Sequence, residues 1–156
     1  VTVIPAFVGL GAPHWRADVR GSVHGLTLDT NAADLVRATL ESIAFQTRDL
    51  TDAMRADGAS QPATLRIDGG MAQNGWFAQF LADILDTDVE MPASHETTAL
   101  GAAVLAGIGS GLIADVTSFA TGWRAAAHWT PAMPAAERTS RLDSWHSQLK
   151  QALASG

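Results

Sequence analysis

Val36, Leu40, Ile43, Thr47, Leu50 and Met54 recur at alternating spacings of four and three, while Arg37, Glu41, Arg48, Asp52 and Arg55 take the other faces. That period predicts a long amphipathic helix with the first set turned inward. Asn31 precedes it with Asp34 three residues later, an arrangement in which two side chains satisfy the first free N–H groups, and Gly58 marks its end. Upstream, Val1 to Phe7 reads as an apolar strand. A long loop punctuated by Gly9, Gly11, Pro13 and Gly21 follows, and Ser22 to Thr27 makes a second short strand. Downstream, Leu65 and Ile67 alternate with Thr64, Arg66 and Asp68 as in a strand that Gly69 and Gly70 stop. Phe77, Phe80, Leu81 and Ile84 mark one face of the next helix, and Asp88 to Met91 is another strand. Glu96 to Thr98 can cap a third helix, in which Ala99, Gly101, Ala102, Ala103 and Ala106 offer a thin face for close packing. From Pro134 the period is helical again, with Leu142, Trp145, Leu149 and Leu153 on one packed side. The order of elements is that of an α/β protein, with no internal repeat.

Composition narrows the function classes. With 47% apolar residues among 156, the chain can bury the core of one compact domain. A net charge of −6 offers no cationic footprint for a nucleic-acid backbone, so that partner is not expected. The absence of cysteine removes disulfides and thiolate metal sites and suits a reducing compartment, and the chain is assigned to the cytoplasm. Thr97 to Ala114 carries no charge until Asp115, yet its glycines fit a buried helix rich in Ala and Gly better than a membrane span, so no membrane is expected. The first residue is Val1 and not Met, and the chain reads as a piece of something longer.

Chemistry is most readable at Gly69-Gly70. A strand that ends in glycines before a helix lets backbone N–H groups approach a ligand that a Cβ would exclude. Asn74, one helical turn on, offers an amide donor and acceptor to a base or ribose, and Asp68 stands at the strand end where ligands of open α/β sheets gather. The same residues also make a tight strand-to-helix turn with a capping Asn, and spacing alone leaves both readings open. Lys150 is the only lysine and has no glycine loop before it, which rules out a P-loop within this chain. His14, His24, His95, His128 and His146 are scattered without metal-ligand spacing and are expected to be surface or packing residues. Trp15, Trp76, Trp123, Trp129 and Trp145 are not spaced as a stacking platform and are expected to anchor a core or an interface.

The residues also carry a resemblance. Pro5 to Gly11 with Ala12, Pro13 and Trp15, then Arg20-Gly21, is similar to the segment that opens this region in glycerol kinases. Gly21, Val23, Gly25 and Leu26, followed by Asp34, Leu35 and the run Ala38 to Asp49, resembles the second signature of the wider FGGY carbohydrate kinase family, which includes glycerol, xylulose and gluconate kinases. Asp68-Gly69-Gly70 with Asn74 looks like that family's adenosine contact, and Glu96 to Ala103 like its glycerol kinase form. The likeness runs from about Val3 to Leu112. Arg16-Ala17, Met71 and Gly75 depart from the usual pattern.

The resemblance implies part of an actin-like (ribonuclease H-like) ATPase domain, the second domain of an FGGY-type kinase, over residues 1–112, with a C-terminal extension over 113–156. It implies transfer of the γ-phosphoryl of ATP, with Mg²⁺, to glycerol, giving glycerol 3-phosphate. Gly69, Gly70 and Asn74 would be nucleotide-binding residues, with Gly70 lining the nucleotide through its backbone. The catalytic aspartate and the glycerol contacts would lie before Val1, in segments that include an N-terminal kinase domain, so this chain would hold no catalytic residue and would be inactive alone. A homo-oligomer is compatible with this reading. Two alternatives stay open: a xylulose or gluconate kinase of the same family, and a non-catalytic remnant that binds only nucleotide or a partner.

Overall fold

The computed structural model describes residues 1–93, 96–120 and 124–155. In chain order the elements are β1 (Thr2–Ile4), β2 (Ser22–His24), α1 (Ala32–Ala56), β3 (Thr64–Arg66), a 3₁₀ turn (Met71–Gln73), α2 (Gly75–Leu85), β4 (Asp88–Pro92), α3 (Thr97–Gly109), α4 (Val116–Ala120), β5 (Ala125–Trp129) and α5 (Ala135–Ser155). β1 and β2 form an antiparallel pair with Val3 opposite Val23. β3 pairs parallel to β4 with Leu65 opposite Val89, and α2 provides the crossover that a parallel pair requires. β5 completes that sheet antiparallel to β4, with Glu90 opposite His128 and an irregularity between Met91 and Pro92. β5 and the short α4 lie where the sequence pattern signals no element.

α1 starts as the sequence predicts. Asn31 Oδ1 accepts from the N–H groups of Ala33 and Asp34 while Asp34 accepts from the N–H of Asn31, so the capping is reciprocal. Its buried face differs from the expected one. Ala38, Ser42, Ala44 and Phe45 are buried, whereas Val36, Leu50 and Met54 are exposed and Leu40 and Ile43 only half-buried. Small side chains let α1 approach its neighbours closely, and the one large ring at Phe45 fills the space, so the contact stripe is rotated off the aliphatic one.

The core gathers Ile4 and Leu10 from the start of the chain, Phe45 from α1, Phe77, Phe80, Leu81 and Ile84 from α2, Val89 from β4, and Trp145 and Leu149 from α5. Phe45 is its centre, edge-on to Phe80 at 5.7 Å and stacked on Trp145 at 5.4 Å. α5 thus keeps its predicted face, with Leu142 and Leu153 half-buried beside it. Two arginines satisfy the free carbonyls at the C-terminal end of α2, where a cation also complements the helix dipole. Arg48 of α1 donates to Ile84 O, and Arg138 of α5 donates to Asp83 O and to the Asp86 carboxylate.

Two expectations for α3 do not hold. Glu96 stands at its N-cap position, but its side chain makes no capping hydrogen bond. The thin face is not packed either: only Val104 and Gly107 are buried, and Ala99, Gly101, Ala102 and Ala103 are exposed. Small side chains permit close approach without supplying apolar area that would enforce it. Among the described residues no helix is long and apolar enough to cross a membrane.

The opening loop is closed by Leu10 and Arg16, which exchange both backbone hydrogen bonds at 2.8 and 2.9 Å. Arg16 then forks onto both oxygens of Asp18, at 2.8 and 2.6 Å, and also donates to Leu153 O near the end of α5. The hydrogen bonds from Arg16 hold the Asp18 carboxyl down to about 2, below its usual range. A depressed carboxylate contributes stability above its ordinary pKa and loses it as pH falls from about 4 towards 2. We expect carboxyl NMR to give Asp18 a midpoint near 2, and Arg16→Gln to raise it towards the ordinary range, with the backbone hydrogen bond and Arg20 still holding it somewhat low. An unchanged midpoint in that variant would remove Arg16 as the cause.

Candidate functional site

Past β3 the chain makes one more parallel hydrogen bond, from Ile67 N–H to Glu90 O, and then leaves the sheet through Asp68, Gly69 and Gly70. The two glycines are there for different reasons. Gly69 has φ +88°, a left-handed conformation in which a Cβ is strained, so the turn itself selects glycine. Gly70 has φ −60° and ψ −39°, an ordinary helical conformation, and a Cβ built on it meets nothing within 4 Å. The fold would accept a side chain at Gly70, so a glycine there is explained by keeping its face open. Among the described residues, the N–H groups of Gly69 and Gly70 have no hydrogen-bond acceptor.

The 3₁₀ turn carries the chain from Gly70 to Asn74, which caps α2. Its Oδ1 accepts from Phe77 N–H at 3.2 Å, and its Nδ2 keeps two donors to offer at an exposed position. Both sequence readings of Asn74 are therefore compatible, because capping occupies only its oxygen. Gly69, Gly70 and Asn74 sit along one strand-to-helix connection. Its exposed face bears backbone and amide N–H groups, and the Arg37 guanidinium lies beyond Asn74, over the Trp76 ring at 5.4 Å.

Other candidates sort differently. Trp145 is in the core and Trp129 packs beside it, but Trp15 is 78% exposed and Trp76 41% exposed. Trp123 and His95 lie outside the described residues. His24 bonds Ser22 and His128 bonds Asp88, as surface residues do. His14 and His146 converge on Asp49, whose side chain is 8% exposed and also accepts from Trp145 Nε1 at 2.8 Å. The sequence reading missed this junction because it gave Asp49 no structural role. Its position seven residues after Ser42 and four after Phe45, on the small-residue stripe, is the signal that could have found it. Asn74 also lines a cavity between the first turns of α1 and α2, together with Val36 and Trp76.

Comparison with known proteins adds to this geometry. Residues 1–110 match the family described as FGGY family of carbohydrate kinases, C-terminal domain. The chain belongs to the FGGY family of carbohydrate kinases. This FGGY chain is 50% identical over 153 residues to a glycerol kinase of Gluconobacter oxydans, a match that covers 98% of the chain and 30% of the relative. A solved structure of Plasmodium falciparum glycerol kinase with ADP superposes with a TM-score of 0.85 at 38% identity, over 97% of the chain and 30% of that protein. A ligand-bound xylulose kinase from Lactobacillus acidophilus shares the fold at a TM-score of 0.78 and 24% identity, over 98% of the chain and 31% of that protein. The α/β architecture is thus that of the family's actin-like ATPase domain, and the chain spans about a third of the length of the relatives it matches.

Proposed function

We propose that this chain is the C-terminal part of an ATP-dependent glycerol kinase and supplies one wall of its nucleotide site. The observation that carries the reading is Gly70: a glycine with ordinary backbone angles, open space where its Cβ would be, and an N–H without an acceptor among the described residues. Half-identical glycerol kinases over nearly the whole chain support the substrate assignment. In this reading Gly69 shapes the turn, Gly70 lets the nucleotide approach the backbone, and Asn74 donates from Nδ2 to its adenosine end while its oxygen keeps capping α2.

The reaction is an in-line displacement. A primary hydroxyl oxygen of glycerol forms a bond to the γ-phosphorus, the bond from that phosphorus to the β–γ bridging oxygen breaks, ADP leaves, and the hydroxyl proton passes to a base. Such a transfer depends on positioning and charge stabilisation acting together, which one wall of a cleft cannot supply. Mg²⁺ requires oxygen ligands, and the N–H groups of Gly69 and Gly70 supply none, so these two glycines serve the nucleotide in this reading. No residue of this chain is assigned to Mg²⁺ or to the base. The same reading divides the chain at residue 112, with 113–156 as an extension whose α5 shares the core, and places the protein in the cytoplasm.

The test is ATP consumption by the full-length parent with Mg²⁺ on glycerol, xylulose and gluconate, beside a Gly70→Trp variant. Turnover on glycerol, reduced about a hundredfold in kcat/KM for ATP by the variant, a loss of about 2.7 kcal/mol, is the expected result. Turnover on a sugar or sugar acid alone moves the protein to another branch of the family, and turnover on none makes a non-catalytic module the better reading. The isolated chain is expected to show no glycerol-dependent turnover.

A further inference from the structure

We infer that the exposed aliphatic stripe of α1 is the surface on which the protein meets a second copy of itself, the two α1 helices lying antiparallel about a two-fold axis level with Phe45. The inference is independent of the nucleotide reading above. Val36, Leu40, Ile43, Thr47, Leu50 and Met54 form the stripe, and the core leaves most of it uncovered. Val36 is 62% exposed, Met54 51% and Leu50 39%, while Leu40 and Ile43 are only half-buried. Met54 lies about five turns of helix after Val36, so the stripe returns to the side on which it began and makes one line about 27 Å long.

Single exposed aliphatic residues are ordinary, but a continuous line of them is not, because a helix face left in water normally carries charge. This one carries none. Thr39, Gln46 and Ala53 flank the stripe on one side without a charge. The charged residues lie round the other side and are already engaged: Arg48 holds Asp52 and Ile84 O, and Arg37 holds Glu41 and lies over Trp76. Covering the stripe therefore desolvates no ion, which is the make-up of an interface centre.

The order of the stripe selects a second copy over a different partner. Its spacings of four, three, four, three and four read the same in both directions, so the stripe superposes on itself when reversed. Val36 then faces the second copy's Met54, Leu40 its Leu50 and Ile43 its Thr47, and every contact occurs twice, as a two-fold interface requires. Short Val36 meets long, flexible Met54, and β-branched side chains meet near the axis, so the two backbones can keep one separation along the line. One helix face gives fewer residues than the roughly 20–30 a side of a stable dimer, so the pair is expected to dissociate reversibly with a Kd of about 1–100 µM.

The experiment uses the full-length parent, with sedimentation velocity from about 1 to 100 µM and disulfide trapping. The wild type is expected to pass from monomer to dimer across that range. Leu50→Glu sets a carboxylate against the second copy's Leu40 twice in one seam and is expected to raise the Kd about a hundredfold, while a good helix former at an exposed position keeps the fold. Val36→Cys combined with Met54→Cys, oxidised with copper phenanthroline beside a wild-type control, is expected to give a covalent dimer. Neither single variant should, because the reversed register puts equal positions about 27 Å apart, far beyond disulfide reach. A parent that stays monomeric up to about 100 µM overturns the inference. So does a dimer whose Kd Leu50→Glu leaves unchanged, since its contact then lies elsewhere, and so do covalent dimers from either single cysteine variant, which would set a different register. Should Leu50→Glu not fold, the double-cysteine variant decides, and its failure to cross-link overturns the inference.

Discussion

Trp145→Ala is expected to cost about 3–5 kcal/mol of folding stability, read as a shift of the urea midpoint followed by far-UV circular dichroism. The indole is 1% exposed, stacks on Phe45, and donates to Asp49 Oδ2 at 2.8 Å. Truncation therefore opens a cavity beside the central ring and takes one donor from a nearly buried carboxylate, and the two losses act in the same direction. Trp145→Phe separates them. It keeps an aromatic ring on Phe45 and loses the hydrogen bond, so about 1–2 kcal/mol of the cost should remain. His146 still donates to Asp49 Oδ1 at 2.8 Å in either variant, which limits the penalty on the carboxylate. A Trp145→Ala variant within 1 kcal/mol of wild type would show that α5 is dispensable to the core.

Gly9→Ala is expected to cost about 3 kcal/mol, close to the effect of deleting a core side chain although it adds only a methyl group. Gly9 has φ +93°, and a Cβ there would sit 2.7 Å from Ala17 Cα and from Arg16 O. Both are backbone atoms of the strand of loop that Leu10 and Arg16 zip together, so neither can rotate aside. For a protein of this size the cost corresponds to a fall in melting temperature of roughly 6–12 °C. The same substitution at Gly70, where the angles are ordinary and the space open, should be neutral or stabilise by up to about 1 kcal/mol. Equal effects at the two positions would show that the fold does not distinguish Gly9, which has no room for a Cβ, from Gly70, which has.

The parts of this fold that were legible in the sequence are those decided within a few residues. The reciprocal cap at Asn31 and Asp34, the glycine stop after β3, and the faces of α2 and α5 depend on neighbours along the chain, and each appears where the pattern puts it. β5 was not legible, because Ala125, Ala126 and Ala127 have poor strand propensity and become a strand only by pairing with β4. The inward face of α1 was misread for a related reason. Periodicity ranks side chains by hydrophobicity, whereas packing here chose small ones, so Val36 was turned inward on paper and is exposed in the structure. At the candidate site, Gly69, Gly70 and Asn74 could be picked out by type and spacing, but the distinct reasons for the two glycines needed backbone angles. The cavity beside them joins residues about 40 positions apart, which no local pattern can bring together.

The hydrogen bond between Trp145 and Asp49 spans 96 positions of sequence, and it ties α1 to a helix that is made later. At ribosomal speeds of about 5–20 residues per second, about 5–20 s separate the emergence of the two partners. Until α5 arrives, one face of Phe45 lacks its Trp145 neighbour and Asp49 lacks its indole donor, which leaves an apolar surface that a chaperone can occupy. The chain should therefore become protease-resistant only once α5 is available to pack, however early its other helices have formed.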